Sequence, residues 1–145
     1  MDDVRLTFAV AEEEGRIMAL LSAAGLPSED ILPHRQHFIV AKRNAEVAGC
    51  IGIEMSGQVG LLRSLAVATA YRNQGIGSIL CDRLIAYAKE EGVEQLYLLT
   101  TTAAAYFERL GFQRIAREEA PLAIQSNKQF TTLCPSTAVC MKKRI

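Results

Sequence analysis

A chain of 145 residues and 15.9 kDa has room for one hydrophobic core, so a single domain over residues 1–145 is expected. Half of the residues are hydrophobic and 22% are charged, which excludes an intrinsically disordered chain. Sixteen Lys and Arg balance sixteen Asp and Glu, and a formal charge of zero argues against nucleic acid or an anionic membrane as a partner held by bulk charge.

No apolar run is long enough for a membrane span, and the opening Met1-Asp2-Asp3 is acidic where a secretory signal would be basic. Cys50, Cys81, Cys134 and Cys140 are too scattered for a disulfide scaffold and lack zinc-ligand spacing. Buried free thiols, no metal and a cytoplasmic location are the expectation.

Residues 4–10 are apolar and β-branched enough for a first strand. Ile17, Leu20, Leu21 and Ala24 recur at helical spacing, which predicts a helix over 12–24, stopped by Gly25 and Pro27. Residues 28–33 read as a loop or a short helical turn. Three strands follow over 36–43, 46–55 and 58–67, separated by Asn44-Ala45 and Ser56-Gly57, which suggests an antiparallel meander. In the second of these, strict alternation places Val47, Ile51, Ile53 and Met55 on one face. Ala48, Cys50, Gly52 and Glu54 form the other, a face of small residues. After a break over 68–77, Ile79, Leu80, Leu84, Tyr87 and Ala88 mark a long helix that ends at Gly92. Leu96 to Leu99 is the apolar run of a strand covered on both sides. Thr102 is placed to cap a shorter helix that ends at Gly111. Strands over 112–115 and 138–143 complete an α/β chain with a mixed, mainly antiparallel sheet and helices on both faces. The last strand is a candidate edge for pairing with a second copy in a homodimer.

Chemistry concentrates where a strand, Leu65-Ala66-Val67, leads through Arg72-Asn73-Gln74-Gly75-Ile76-Gly77 into a helix. Glycines leave a backbone open to close approach, and the first amides of a helix lack internal partners and carry partial positive charge. Such a turn suits a phosphate or diphosphate, with the Arg72 cation beside it. No lysine follows the glycines as in a P-loop, and Leu80 stands where a dinucleotide fingerprint needs a third glycine.

The Arg-x-x-Gly-x-Gly turn after its Leu-x-Val strand resembles the acetyl-CoA signature of the GNAT family of N-acetyltransferases. A second block, Tyr106-Phe107-Glu108-Arg109-Leu110-Gly111-Phe112, is similar to that family's helix ending. The resemblance implies that Leu65, Ala66 and Val67 hold the pantetheine arm by main-chain hydrogen bonds. It places the diphosphate on Arg72, Asn73, Gln74, Gly75, Ile76 and Gly77, and sets Thr100, Ala103 and Phe107 along the thioester or the arm. The implied reaction is direct transfer of an acetyl group from acetyl-CoA to an amine.

That reaction needs a proton acceptor for the amine, an oxyanion donor and a proton for the thiolate leaving group. The resemblance would put a tyrosine at Phe107; here Tyr106 stands one residue earlier, about 100° around the helix, so Tyr106 does not simply inherit that role. Leu61 and Leu62 stand where some relatives carry a glutamate. Glu54 is the best remaining carboxylate, set against its plain reading as a solvated group beside a turn. Arg63 and Ser64 are candidates to meet an anionic acceptor, although Arg63 reads equally as a solvated strand residue. His34 and His37 read as exposed, and Cys134 as a structural thiol or part of the acceptor pocket.

Residues 61–67, 96–102 and 129–138 also resemble acetyltransferases found with arsenic-resistance genes, and Leu-Leu-Thr-Thr resembles the acetyltransferase domain of N-acetylglutamate synthases. Both point to a small acceptor with an α-amino group and a carboxylate, such as glutamate or a toxic analogue of it. Arg63, Arg72 or Lys128 would supply the cation. Two other readings remain: a catalytically silent acetyl-CoA-binding module, and a protein or peptide acetyltransferase, against which the long loop over 120–136 argues.

Overall fold

A computed structural model describes residues 4–26, 37–126 and 138–145. The expectations for residues 28–33, His34, Lys128, Cys134 and the motif over 129–137 lie outside the described residues. The elements run β1 (Arg5–Phe8), α1 (Glu14–Ala23), β2 (Phe38–Arg43), β3 (Glu46–Ser56), β4 (Val59–Val67), α2 (Ile76–Glu90), β5 (Gln95–Thr100), α3 (Ala104–Arg109), β6 (Gln113–Ile115), α4 (Leu122–Gln125) and β7 (Val139–Arg144). Among the described residues the hydrogen-bonded strand order is β1-β2-β3-β4-β5-β7-β6. The chain forms two compact units, one of residues 1–54 and 63–87, the other of residues 55–62 and 88–145.

In the first unit β1, β2 and β3 pair antiparallel. Strict alternation along β3 fails at one point. Ala41 pairs with Gly49 but Lys42 pairs with Val47, so Ala48 is an extra residue, a bulge. The slip turns Val47 onto the face of Cys50, where both join Ile17 and Leu21 of α1, Phe38 and Val40 in one apolar cluster. Complete burial of Ile17 and Leu21 stabilises this packing by roughly 1.5–3 kcal/mol each. Gly49 points the other way. A Cβ there would lie 3.0 Å from the Ala66 carbonyl oxygen and 3.2 and 3.3 Å from Leu80 and Ile76 of α2. The two helices therefore cover opposite faces of β3, and the absent side chain lets α2 settle against it.

In the second unit β4 and β5 run parallel rather than continuing the meander, and their ladder holds three pairs, from Val59↔Gln95 to Leu61↔Tyr97. β7 lies between β5 and β6 and pairs antiparallel with both. It is thus an interior strand, and the expectation of a C-terminal edge free to pair with another copy is corrected: three-residue β6 covers it. The core here gathers Leu61, Tyr97, Ala120, Ile124 and Cys140. Ile124 belongs to α4, a turn of helix inside a segment read from sequence as loop.

The helix stops were legible and one start was not. Gly25, Gly92 and Gly111 are all left-handed, and the residue after each donates back to the carbonyl five positions earlier, as in Leu26 N to Leu21 O at 2.8 Å. Thr102 does not cap α3. The Thr100 hydroxyl does related work, accepting from Ala103 N at 3.0 Å. Cys50, Cys81 and Cys140 are free and buried.

Candidate active site

The glycine turn keeps the character its composition implied. After Val67 the chain makes a short 3-10 turn over Thr69–Tyr71, and then Arg72, Asn73, Gln74 and Gly75 are all exposed before α2 begins at Ile76. Asn73 (φ 64°) and Gly75 (φ 79°) are left-handed, which turns successive main-chain groups toward one side of the loop. Among the described residues no atom lies within 4 Å of where a Gly75 Cβ would stand, so glycine is needed there for its φ. Arg72 is tethered at its base, Nε donating to Val67 O at 3.2 Å. Gln74 is held from β2, its Oε1 accepting from Arg43 Nη1. Ile76 is buried and pins the helix start, and Gly77 follows it in the first turn of α2. The first helical amides and the exposed turn before them fit an anionic diphosphate in chemistry and in access.

Leu65, Ala66 and Val67 lie on the last part of β4, beyond its three-pair ladder with β5. Just before them sits Ser64 at φ 61°. A non-glycine residue there costs on the order of 1–2 kcal/mol. β4 is therefore kinked at the point where its last three residues begin.

Glu54 and Arg63 are not the solvated side chains their positions suggested. Arg63 is only 3% exposed, and its Nη1 donates to Glu54 Oε2 at 2.7 Å. Its Nε donates to Ser64 Oγ at 3.0 Å, and its guanidinium carbon stands 5.6 Å from the centroid of the Phe38 ring. The fold thus joins three sequence candidates, Glu54, Arg63 and Ser64, into one network. It adds two residues the sequence did not single out for chemistry, Phe38 and Cys50. Cys50 Sγ donates to Ser64 O at 3.4 Å. The signal that could have found them was the small face of β3, since a strand opens such space only where something must fit. His37 is half-buried, its Nδ1 3.4 Å from the Tyr87 hydroxyl, rather than exposed in a loop.

Thr100, Ala103, Tyr106 and Phe107 belong to the second unit. Thr100 ends β5 and caps the turn into α3, as above. Phe107 is buried, with its ring edge-on to Tyr106 at 5.3 Å and to Phe112 at 5.7 Å. Tyr106 is half-buried, and the Arg109 guanidinium lies 5.8 Å from its ring centroid. Among the described residues no cluster of three His, Cys, Asp or Glu could hold a metal ion, and no helix is long and apolar enough to cross a membrane.

The sequence profile of the Acetyltransferase (GNAT) family matches residues 21–112. An uncharacterised N-acetyltransferase of Chlorobaculum tepidum is 34% identical over 113 residues, which is 77% of this chain and 70% of that protein. The amino-acid acetyltransferase of Pseudomonas fluorescens is 29% identical over 126 residues, 79% of this chain and 29% of its own length. Among solved structures, N-acetylglutamate synthase of Neisseria gonorrhoeae with coenzyme A and N-acetyl-glutamate superposes with a TM-score of 0.86 at 20% identity, covering 98% of this chain and 35% of that one. A Mycobacterium tuberculosis protein solved with CoA superposes at 0.83 and 19% identity, covering 97% of this chain and 99% of the other. The chain spans about a third of the amino-acid acetyltransferase and synthase chains it matches. With the mixed seven-stranded sheet, the family profile and these relatives together, the chain belongs to the GNAT family and is an N-acetyltransferase with acetyl-CoA as its co-substrate.

Proposed function

We propose that the chain acetylates the amine of a small, amino-acid-like acceptor, with glutamate or a toxic analogue of it as the leading class, by direct transfer from acetyl-CoA. The observation that carries this reading is the exposed left-handed turn at Asn73 and Gly75, backed by the start of α2. Arg72 to Gly77 hold the diphosphate there. Leu65, Ala66 and Val67 offer main-chain hydrogen bonds to the pantetheine arm, and Thr100, Ala103 and Phe107 flank it.

Glu54 accepts the proton that the acceptor's ammonium must lose, directly or through water. The freed amine nitrogen bonds to the thioester carbon, and a main-chain amide beyond the kink of β4 steadies the oxygen as it gains charge. The C–S bond then breaks, Tyr106 gives a proton to the thiolate, and the attached nitrogen loses its second proton to water, which restores the Tyr106 hydroxyl; Phe107, in the position expected for that proton donor, has no hydroxyl. Arg63 and Ser64 orient the acceptor's carboxylate. The names of the Pseudomonas relatives and the N-acetyl-glutamate in the Neisseria structure support an acceptor of this class.

The test is release of free thiol from acetyl-CoA against a panel of amino acids, amino-acid-like toxins and lysine peptides. Saturable turnover with an α-amino carboxylate is expected. Turnover with peptides alone would overturn the acceptor class. The lack of a hydroxyl at Phe107 also favours a second reading, a silent acetyl-CoA-binding module. Tight acetyl-CoA binding with no turnover on any amine would select it.

A further inference from the structure

Ser64 is the costliest backbone in β4. Asparagine and glycine visit the left-handed region readily, as Asn73 and Gly75 do, but serine does so only where its surroundings hold it. Here it is held at two atoms. Its carbonyl accepts from Cys50 Sγ, and its hydroxyl accepts from Arg63 Nε. Burial pushes the Cys50 thiol up to about 12, so the sulfur keeps the proton it donates.

Arg63 is fixed in turn. Glu54 takes its Nη1, and Phe38 lies against its guanidinium. The Phe38 ring occupies the space above Gly52, where a Cβ would come within 2.8 Å of Cζ. Cys50, Gly52 and Glu54 are alternate residues on one face of β3, past the bulge at Ala48. One supplies a donor to the kink, one a seat for the ring under the arginine, and one the counter-charge.

We propose that this small face of β3 is a clamp for the strained kink of β4, which makes Cys50 and Gly52 positioning residues for acetyl transfer. The clamp rests on the reading above, in which the amides after the kink meet the arm and the thioester. A backbone turned at Ser64 aims those amides, and a relaxed one misaims them without removing any group that binds the diphosphate. The clamp therefore acts on turnover more than on coenzyme affinity, which keeps every diphosphate contact and loses only part of the hold on the arm.

The test compares Cys50→Ala and Cys50→Ser in the native chain and in a Ser64→Gly background, where glycine takes the left-handed φ without help. In the native chain Cys50→Ala should lower kcat about tenfold with a rise in KM for acetyl-CoA of less than about threefold, and Cys50→Ser should restore most of the loss. With Ser64→Gly the same Cys50→Ala change should cost less than about twofold. An equal loss in both backgrounds, or none in either, overturns the clamp. Amide hydrogen exchange at residues 64–66 reads the same cycle without an acceptor, and should quicken about tenfold in Cys50→Ala only when Ser64 is present. Should that variant fail to fold, Gly52→Ala, which drives a methyl into the Phe38 ring, carries the same cycle with the same expected and overturning results. Absence of acetyl-CoA turnover in the unaltered protein would count against the proposed function alone, since the exchange measurement still decides the clamp.

Discussion

The two halves of the proposed site in the first unit are built in opposite ways. The turn from Arg72 to Gly75 is exposed and works with main-chain groups, so its side chains need little support. The kinked stretch at Arg63 and Ser64 is buried, and its geometry depends on five side chains from β2, β3 and β4. A diphosphate is large, charged and present before reaction, so a site for one needs little beyond amides at a helix start. A transition state differs from its ground state by fractions of an ångström, and that distinction calls for a packed support.

The sharpest way to break the contrast is at the turn itself. Gly75→Asp adds a carboxylate beside the diphosphate and forces a side chain to φ 79°. We expect acetyl-CoA affinity to fall about a thousandfold by calorimetry with folding intact, from charge repulsion and backbone strain together. Affinity within a fewfold of the native value would move the coenzyme elsewhere.

Changes on the buried side should act on rate rather than affinity. Glu54→Gln keeps a hydrogen-bond acceptor for Arg63 but removes the base, so kcat should drop about a hundredfold while acetyl-CoA binds as before. A kcat within a fewfold of the native value would assign the base to another group. Tyr106→Phe is expected to cost about tenfold in kcat. Unchanged kinetics would leave the thiolate to be protonated by water.

The smallest effect is on stability. The Cys50 thiol is raised from 9.0 to about 12 in the folded chain, so the unfolded chain loses that proton first. Its contribution is fully present below pH 9 and is lost as pH rises toward 12, at up to about 1.4 kcal/mol per pH unit. Urea midpoints for Cys50→Ala and the native chain should converge as pH rises from 9.0 toward about 12. Parallel curves would mean that the thiol is not buried as described.

The legible features were local ones. Gly25, Gly92 and Gly111 close their helices because a left-handed residue after the last turn is favoured by glycine alone, whatever surrounds it. The conformation of the glycine turn was legible for the same reason: its φ values are set by Asn73, Gly75 and the helix that follows. The family resemblance rested on that turn and on the Tyr106–Phe112 block, both short in sequence.

Tertiary structure decided everything that required two strands to meet. Period-two reading put Val47 with Ile51, and a single bulged residue, Ala48, reversed it. β7 looked like an edge until β6 covered it. Glu54 and Arg63, nine positions apart, read as separate candidates, each also readable as a solvated charge; across the strands they pair with each other, with the guanidinium over the Phe38 ring. A chain specifies its turns through the φ and ψ that each residue tolerates. Which charge is paired, and which backbone is held under strain, depends on register, and register is fixed only when whole faces are buried together.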